Sequence, residues 1–186
     1  MARRGLDAER VIATAGDVAD ADGLAAVTVA RVAAELGVRG PSLYNHVPGR
    51  EGLARGVALA ATRELCAILR KAAVGRSGTD ALVAMAFAYR GYALAHPGRY
   101  AALAAVATAA REDPELREAS EDTLTVMLEV LRAWHLEGDD AVHAVRALRS
   151  ALHGFVELER SGGFAMDVSL DASFKRLVRR LAASLG

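Results

Sequence analysis

Between Thr28 and Pro48 the chain carries two short helical stretches separated by only four residues, Gly37 to Gly40, and this spacing constrains the fold more than any other feature. Thr28 has a hydroxyl suited to an orphan amide in the first turn of a helix. Behind it Val29, Val32, Ala33 and Leu36 recur at helical spacing and make one apolar face. Gly37 ends that helix, because glycine accepts the left-handed backbone of a C-terminal cap. Pro41 suits the first position of the next helix, with its φ locked and no N–H to satisfy. Leu43 and Val47 lie one turn apart on it, and Pro48-Gly49 closes it. Two helices of about two turns joined in this way form a helix-turn-helix connection. Ala33 and Ala34 are small where the helices cross, and Val32, Leu36, Val38, Leu43 and Val47 make a small core. An earlier helix can cover that core. It is capped by Asp7, places Leu6 and Val11 as a hydrophobic staple, and runs along Val11, Ala15 and Val18 to a stop at Gly23.

Helix signals continue to the end of the chain, and strand signals are nearly absent. A long helix is expected from about Arg50 to Ala73, ended by Gly75-Arg76-Ser77-Gly78. The next opens at Thr79-Asp80 and stops at His96-Pro97-Gly98, and another covers about Arg99 to Ala110. Asp113-Pro114-Glu115 combines a cap, a first-turn proline and an acid matched to the helix dipole, and starts a helix reaching Trp134 or His135. Gly138-Asp139-Asp140 opens a helix that ends before Ser161-Gly162-Gly163, and the last runs from about Asp171 to Leu185. The fold class expected is therefore all-α, with about nine helices. Residues 1–49 form a three-helix helix-turn-helix domain and residues 50–186 a larger helical domain.

Composition narrows the function classes. Apolar residues make up 53% of the chain, yet no uncharged apolar run is long enough to span a bilayer. The start, Met-Ala-Arg-Arg-Gly-Leu-Asp, has basic residues with no apolar stretch behind them, unlike a secretion signal. The single cysteine, Cys66, reads as a small buried apolar residue and fits a reducing cytoplasm, so a cytoplasmic location is expected. Lys plus Arg and Asp plus Glu both number 23, and residues 1–50 are balanced as well. Any grip on nucleic acid must then come from positive charge concentrated on one surface. His96, His135, His143 and His153 are scattered, with no i, i+4 pair among them or with Cys66, so no metal site is expected. No catalytic Ser-His-Asp grouping, glycine-rich phosphate loop or nucleotide fingerprint occurs, so neither catalysis nor a cofactor is expected.

The second helix of the pair offers Ser42, Tyr44, Asn45 and His46. Hydroxyls, an amide and an imidazole suit phosphate oxygens and base edges, and they suit an aqueous surface equally well. On the residues alone, three readings stand. They are a DNA-binding regulator, a helical ligand- or protein-binding module favoured by the balanced charge, and a small helical enzyme lacking a visible catalytic group.

The stretch from Thr28 to Leu53 resembles the DNA-binding unit of the TetR family of bacterial regulators. The resemblance rests on Thr28, Val32, Ala33, Leu36-Gly37-Val38, Leu43-Tyr44, His46-Val47, a basic Arg50 and Leu53 in fixed register. The run Leu-Gly-Val-x-x-Pro-Ser-Leu-Tyr-x-His-Val is closest to the tetracycline-responsive branch. It implies that Tyr44 and His46 contact phosphates of double-stranded DNA and that Thr28 presents its helix amides to another. Arg50 stands where the family usually has a phosphate-binding lysine. The resemblance also implies that Pro41, Ser42 and Asn45 lie on the base-facing side. Arg39, in the turn, is a further contact candidate, and Arg3 and Arg4 suit an N-terminal arm. Ala30 and Gly40 depart from the tetracycline branch, which has base-reading side chains at both positions, so that branch's operator does not carry over.

For the larger domain the same resemblance implies a homodimer formed by the last two helices, residues 140–160 and 171–185, as a four-helix bundle. The dimer face expected comprises Val156, Phe174, Leu177, Val178 and Leu181. Two-fold DNA half-sites need two reading heads, which agrees with this. A small-molecule effector is expected among the central helices, with Met85 and Tyr89 one turn apart and Met127 and His153 completing an amphipathic cavity. The whole then reads as a ligand-responsive repressor on a palindromic operator.

Overall fold

The computed structural model of the chain describes residues 6–105 and 112–186. They form eight α-helices: α1 (Ala8–Asp22), α2 (Val29–Leu36), α3 (Gly49–Ala73), α4 (Gly78–Ala95), α5 (Pro97–Ala105), α6 (Pro114–Leu131), α7 (Gly138–Arg160) and α8 (Leu170–Ala183). Short 3-10 turns occur at Leu24–Ala26, Gly40–Asn45 and Arg132–Trp134, and no strand occurs among the described residues. The all-α class is thus as the sequence implies, and each helical segment read from it has a counterpart. The expected end of the sixth, at Ala110, lies outside the described residues.

One element differs in kind. The third helix, expected to be brief and to begin at Pro41, is the 3-10 segment Gly40–Asn45, in which Ser42 N donates to Arg39 O (3.0 Å) and His46 N to Leu43 O (2.9 Å). Gly40 and Pro48 leave room for only two tight turns, and Pro48 disfavours helical backbone in the residue before it. Over so short a span the i+3 bonds replace an α-helical ladder.

The chain divides into two compact units that do not follow it in simple order. Met1–Glu64 and His96–Ser120 make the first; Leu65–Ala95 and Glu121–Gly186 make the second. Helices α3 and α6 each lend residues to both.

In the first unit, local chemistry sets the helix ends. Asp7 accepts from Arg10 N (2.8 Å) at the start of α1, and Thr28 Oγ1 accepts from Arg31 N (3.1 Å) at the start of α2. Gly37 adopts a left-handed backbone at φ 67°, which lets Val38 N reach back to Ala33 O at 3.0 Å. The core joins Val11, Ala15 and Val18 of α1, Val32 and Ala33 of α2, then Leu43, Val47, Leu53 and Val57. Leu6, Leu36 and Val38 pack on its edge.

Helix α5 docks on α1 through a contact the sequence did not announce. A Cβ on Gly98 would lie 1.9 Å from Ala19 O, so only glycine permits this approach. The Asp20 carboxylate accepts from Gly98 N and Arg99 N, both at 2.9 Å, and caps α5 from the neighbouring helix. Asp20 also takes Arg99 Nη1 (2.9 Å) and lies 2.9 Å from His96 Nδ1, while Arg99 Nη2 reaches Asp17 at 2.7 Å. Arg55 similarly holds the start of α6, pairing with Asp113 and with Glu115 (2.5 Å).

In the second unit, α4, α7 and α8 enclose a core of Leu82, Ala86, Leu148, Leu152, Phe174 and Val178. Arg90 of α4 is only 8% exposed, and it forks onto Glu159 with two bonds of 2.6 Å and reaches Asp171 at 2.6 Å. Its guanidinium also lies over the Phe174 and Phe155 rings, 5.2 and 5.9 Å from their centroids. Of the expected dimer face, Val156, Phe174 and Val178 are 0% exposed within a single chain. The apolar stripe on α8 is covered by its own chain's α4 and α7 residues, and only Leu177 and Leu181 of the expected set remain half-exposed.

Candidate nucleic-acid interface

The 3-10 segment separates its side chains sharply. Leu43 is 0% and Val47 5% exposed, whereas Pro41, Ser42 and Asn45 are exposed and Tyr44 is 62% exposed. A buried Leu43 holds the segment to α1 and α2, so the polar groups on either side of it are presented outward on a fixed base. His46 is half-buried at the end of the segment. The Tyr44 ring lies beside the start of α3, with Cε1 3.9 Å from where a Gly49 Cβ would stand, and Gly49 itself has φ 69°. That positive φ makes the corner from the segment into α3 and favours glycine.

The other expected contact residues fall around this segment. Arg39 is exposed in the turn before it, and the turn places it next to Gly40 with no bulk added there. Arg50 is exposed at the start of α3, and its Nη2 reaches Ala25 O at 3.4 Å, in the turn that leads into α2. Thr28 is half-buried with its hydroxyl committed to the cap, leaving the first amides of α2 at a helix N-terminus suited to an anion. Arg3 and Arg4 lie outside the described residues.

Arg31, one turn into α2, is occupied by acids. It pairs with Asp22 at 3.0 Å and with Glu35 one turn on. Arg39 and Arg50 have no carboxylate within ion-pair distance among the described residues, so they are the cations of this surface able to meet phosphate. The balanced charge of residues 1–50 therefore hides an uneven distribution.

The expected effector residues are not gathered around one opening. Met85 is buried; Tyr89 and Met127 pack partly buried on the core of the second unit, and His153 is half-buried on α7. Two surface clefts in that unit are lined by other residues. Among the described residues no group of three or more His, Cys, Asp or Glu is placed to hold a metal ion. No helix there is long and apolar enough to cross a membrane.

A helix pair packed on α1 that offers a short polar segment outward, within an otherwise helical chain, is a helix-turn-helix arrangement. Comparison with known proteins agrees. Residues 82–181 match the family model of the tetracycline repressor-like C-terminal domain. A helix-turn-helix-type transcriptional regulator of Mycobacterium tuberculosis, Rv0681, is 38% identical over 180 residues, covering 97% of this chain and 82% of the relative. A solved structure from Rhodococcus superposes with a TM-score of 0.83 at 21% identity, covering 98% of this chain and 96% of that one. The TetR-family transcriptional regulator PfmR of Thermus thermophilus gives 0.69 at 18% identity, covering 94% and 97%. The chain belongs to the TetR family of transcriptional regulators.

Proposed function

We propose that the protein is a cytoplasmic, ligand-responsive repressor that binds a palindromic operator as a homodimer. The observation that carries this reading is the exposure pattern of Gly40–Asn45, with Leu43 sunk in the core and Ser42, Tyr44 and Asn45 turned outward. Ser42 and Asn45 read base edges in the major groove, and Pro41 packs against them there. Tyr44, His46, Arg39, Arg50 and the amides after Thr28 hold the phosphates and fix the register. Two such heads, about 34–36 Å apart, match successive turns of the duplex.

The dimer is formed by α7 and α8, using their remaining exposed faces, which include Leu177, Leu181 and Val142, rather than the buried stripe. An effector lowers operator affinity by binding better to a form with a different head spacing, since a ligand shifts an equilibrium only by its differential affinity. The test is selection of sites from random duplex DNA, run in parallel with the Tyr44→Ala, His46→Ala double variant. Enrichment of a palindrome that the variant loses is the expected result. No enrichment at low salt from a folded dimer would leave a helical binding module as the better reading.

A further inference from the structure

We propose that the cleft between the end of α3, the start of α4 and the end of α6 is a site for an organic carboxylate with an apolar body. The proposal deepens the effector-responsive reading and rests on it only for the link to DNA affinity. The cleft is about 600 Å³ and open to solvent on one side, a size that admits a small organic molecule.

Its walls are apolar. Val74, Ala81, Val126 and Val130 line it, and Val74 is 70% exposed, an unusual state for a valine that nothing else on the chain covers among the described residues. Around these walls stand three guanidinium groups, Arg70, Arg76 and Arg132, against one carboxylate, Glu129. Arg132 Nη1 is held by both Glu129 oxygens, at 3.2 and 3.0 Å. Arg76 Nη1 donates to Ala72 O (3.0 Å) and Val74 O (3.5 Å), which fixes its planar group at the end of α3 and leaves its other N–H groups available. Arg70 has only the weak Cys66 Sγ contact at 4.0 Å. Neither Arg70 nor Arg76 has a carboxylate within ion-pair distance among the described residues.

In a chain of net charge zero, such a group of cations beside the exposed Val74 is asymmetric. Arginine forks match the two oxygens of a carboxylate, and that match selects an acid over a neutral molecule of equal shape. Ser77 and Gly78, at the first turn of the 18-residue helix α4, also line the cleft and add a positive helix end of the same sign. The apolar walls then take the body of the ligand. A phosphate or a nucleotide fits less well, because it would leave Val74 and Val130 facing polar groups or water.

The test uses the full-length protein and a matched panel: octanoate, 4-phenylbutyrate and 2-naphthoate, each beside its alcohol. Isothermal titration should show at least one acid binding, with its alcohol weaker by about tenfold or more. The Arg70→Gln, Arg76→Gln double variant should remove that preference. Thr125→Trp, which adds bulk to the cleft from an exposed lining position on α6, should abolish binding of acid and alcohol alike. Circular dichroism confirms that each variant is folded. Equal affinity for acid and alcohol, no binding by any acid, or binding unchanged in both variants would each overturn the proposal. Operator affinity is measured separately on the selected palindrome. If the palindrome is bound but no acid binds, the cleft assignment fails and the regulator reading stands. If an acid binds through these arginines without weakening operator binding, the site stands and effector control through it fails.

Discussion

Replacing Gly98 with alanine should destabilise the first unit more than any other glycine-to-alanine change among the described residues. The added Cβ would lie 1.9 Å from Ala19 O, 2.0 Å from its carbonyl carbon and 2.6 Å from Asp20 N, all backbone atoms that no rotamer change can move. Helix α5 must therefore back away from α1. Overpacking of this kind costs about 1–3 kcal/mol. The retreat also stretches the bonds from Gly98 N and Arg99 N to Asp20, and amide bonds to a carboxylate contribute about 1.5–3 kcal/mol each. With the two bonds stretched to about half their worth, a total loss of about 3–6 kcal/mol follows, equivalent to roughly 10–15 °C in melting temperature for a chain of this size. Two companion variants grade the scale. At Gly56 the obstacle is Ile12 Cδ1 at 2.2 Å, the far end of a side chain that can rotate, so Gly56→Ala should cost less than half as much. At Gly91, exposed on α4 with nothing within 4 Å, alanine should stabilise by about 0.5–1 kcal/mol. Thermal and urea melts followed by circular dichroism read all three. A Gly98→Ala melt within a degree of the parent would refute the close approach of α5 and α1.

Other expectations follow from the same contacts. Arg90→Leu strands Glu159 in a nearly closed site and removes the cation from over Phe174, so it should cost about 3 kcal/mol in urea melts, whereas Asp171→Ala, on a mostly exposed side chain, should cost under about 1 kcal/mol. The Arg55 guanidinium, with help from Leu116 N, holds the Asp113 carboxyl below the usual carboxylate range. Its folded-state value being lowered, its contribution is present above the unfolded value and lost as pH falls through the acid range. The stability gap between the parent and Asp113→Asn should therefore be largest near neutrality and narrow below about pH 4, and a gap that widens on acidification would contradict the pairing. Arg50→Gln should weaken operator binding without altering the selected sequence, and should lower the slope of log affinity against log salt by about one per subunit.

What the sequence made legible was chemistry that acts within a few residues. Asp7, Thr28, Gly37 and Asp113 are caps because of their own side chains or backbone freedom, and each stands where local reasoning puts it. The helix-turn-helix core followed from apolar spacing, and Leu43 and Val47 are indeed inside. The third helix is legible in place but not in type, because a proline at its start and another just past its end say where a helix stops without saying which hydrogen-bond pattern fits between them. The α1–α5 contact was out of reach. Asp20 and Gly98 are 78 positions apart, and a glycine beside a proline reads as a turn unless its close neighbour is known. The stripe Phe174, Leu177, Val178 and Leu181 was correctly seen as apolar, but periodicity says that a face is buried and not by what. The same limit applies to Met85, Tyr89, Met127 and His153, where side-chain type suggested a pocket and packing drew Tyr89 and Met127 onto a core.

The most direct test of DNA reading by Gly40–Asn45 is to compare the sequences selected by the parent protein and by Asn45→Ala. If this segment lies in the major groove, the variant should still select a palindrome but lose preference at one position, symmetrically in both halves, with a penalty of about 1–3 kcal/mol on the parent's operator. An identical palindrome bound with identical affinity would show that the exposed segment does not read the bases.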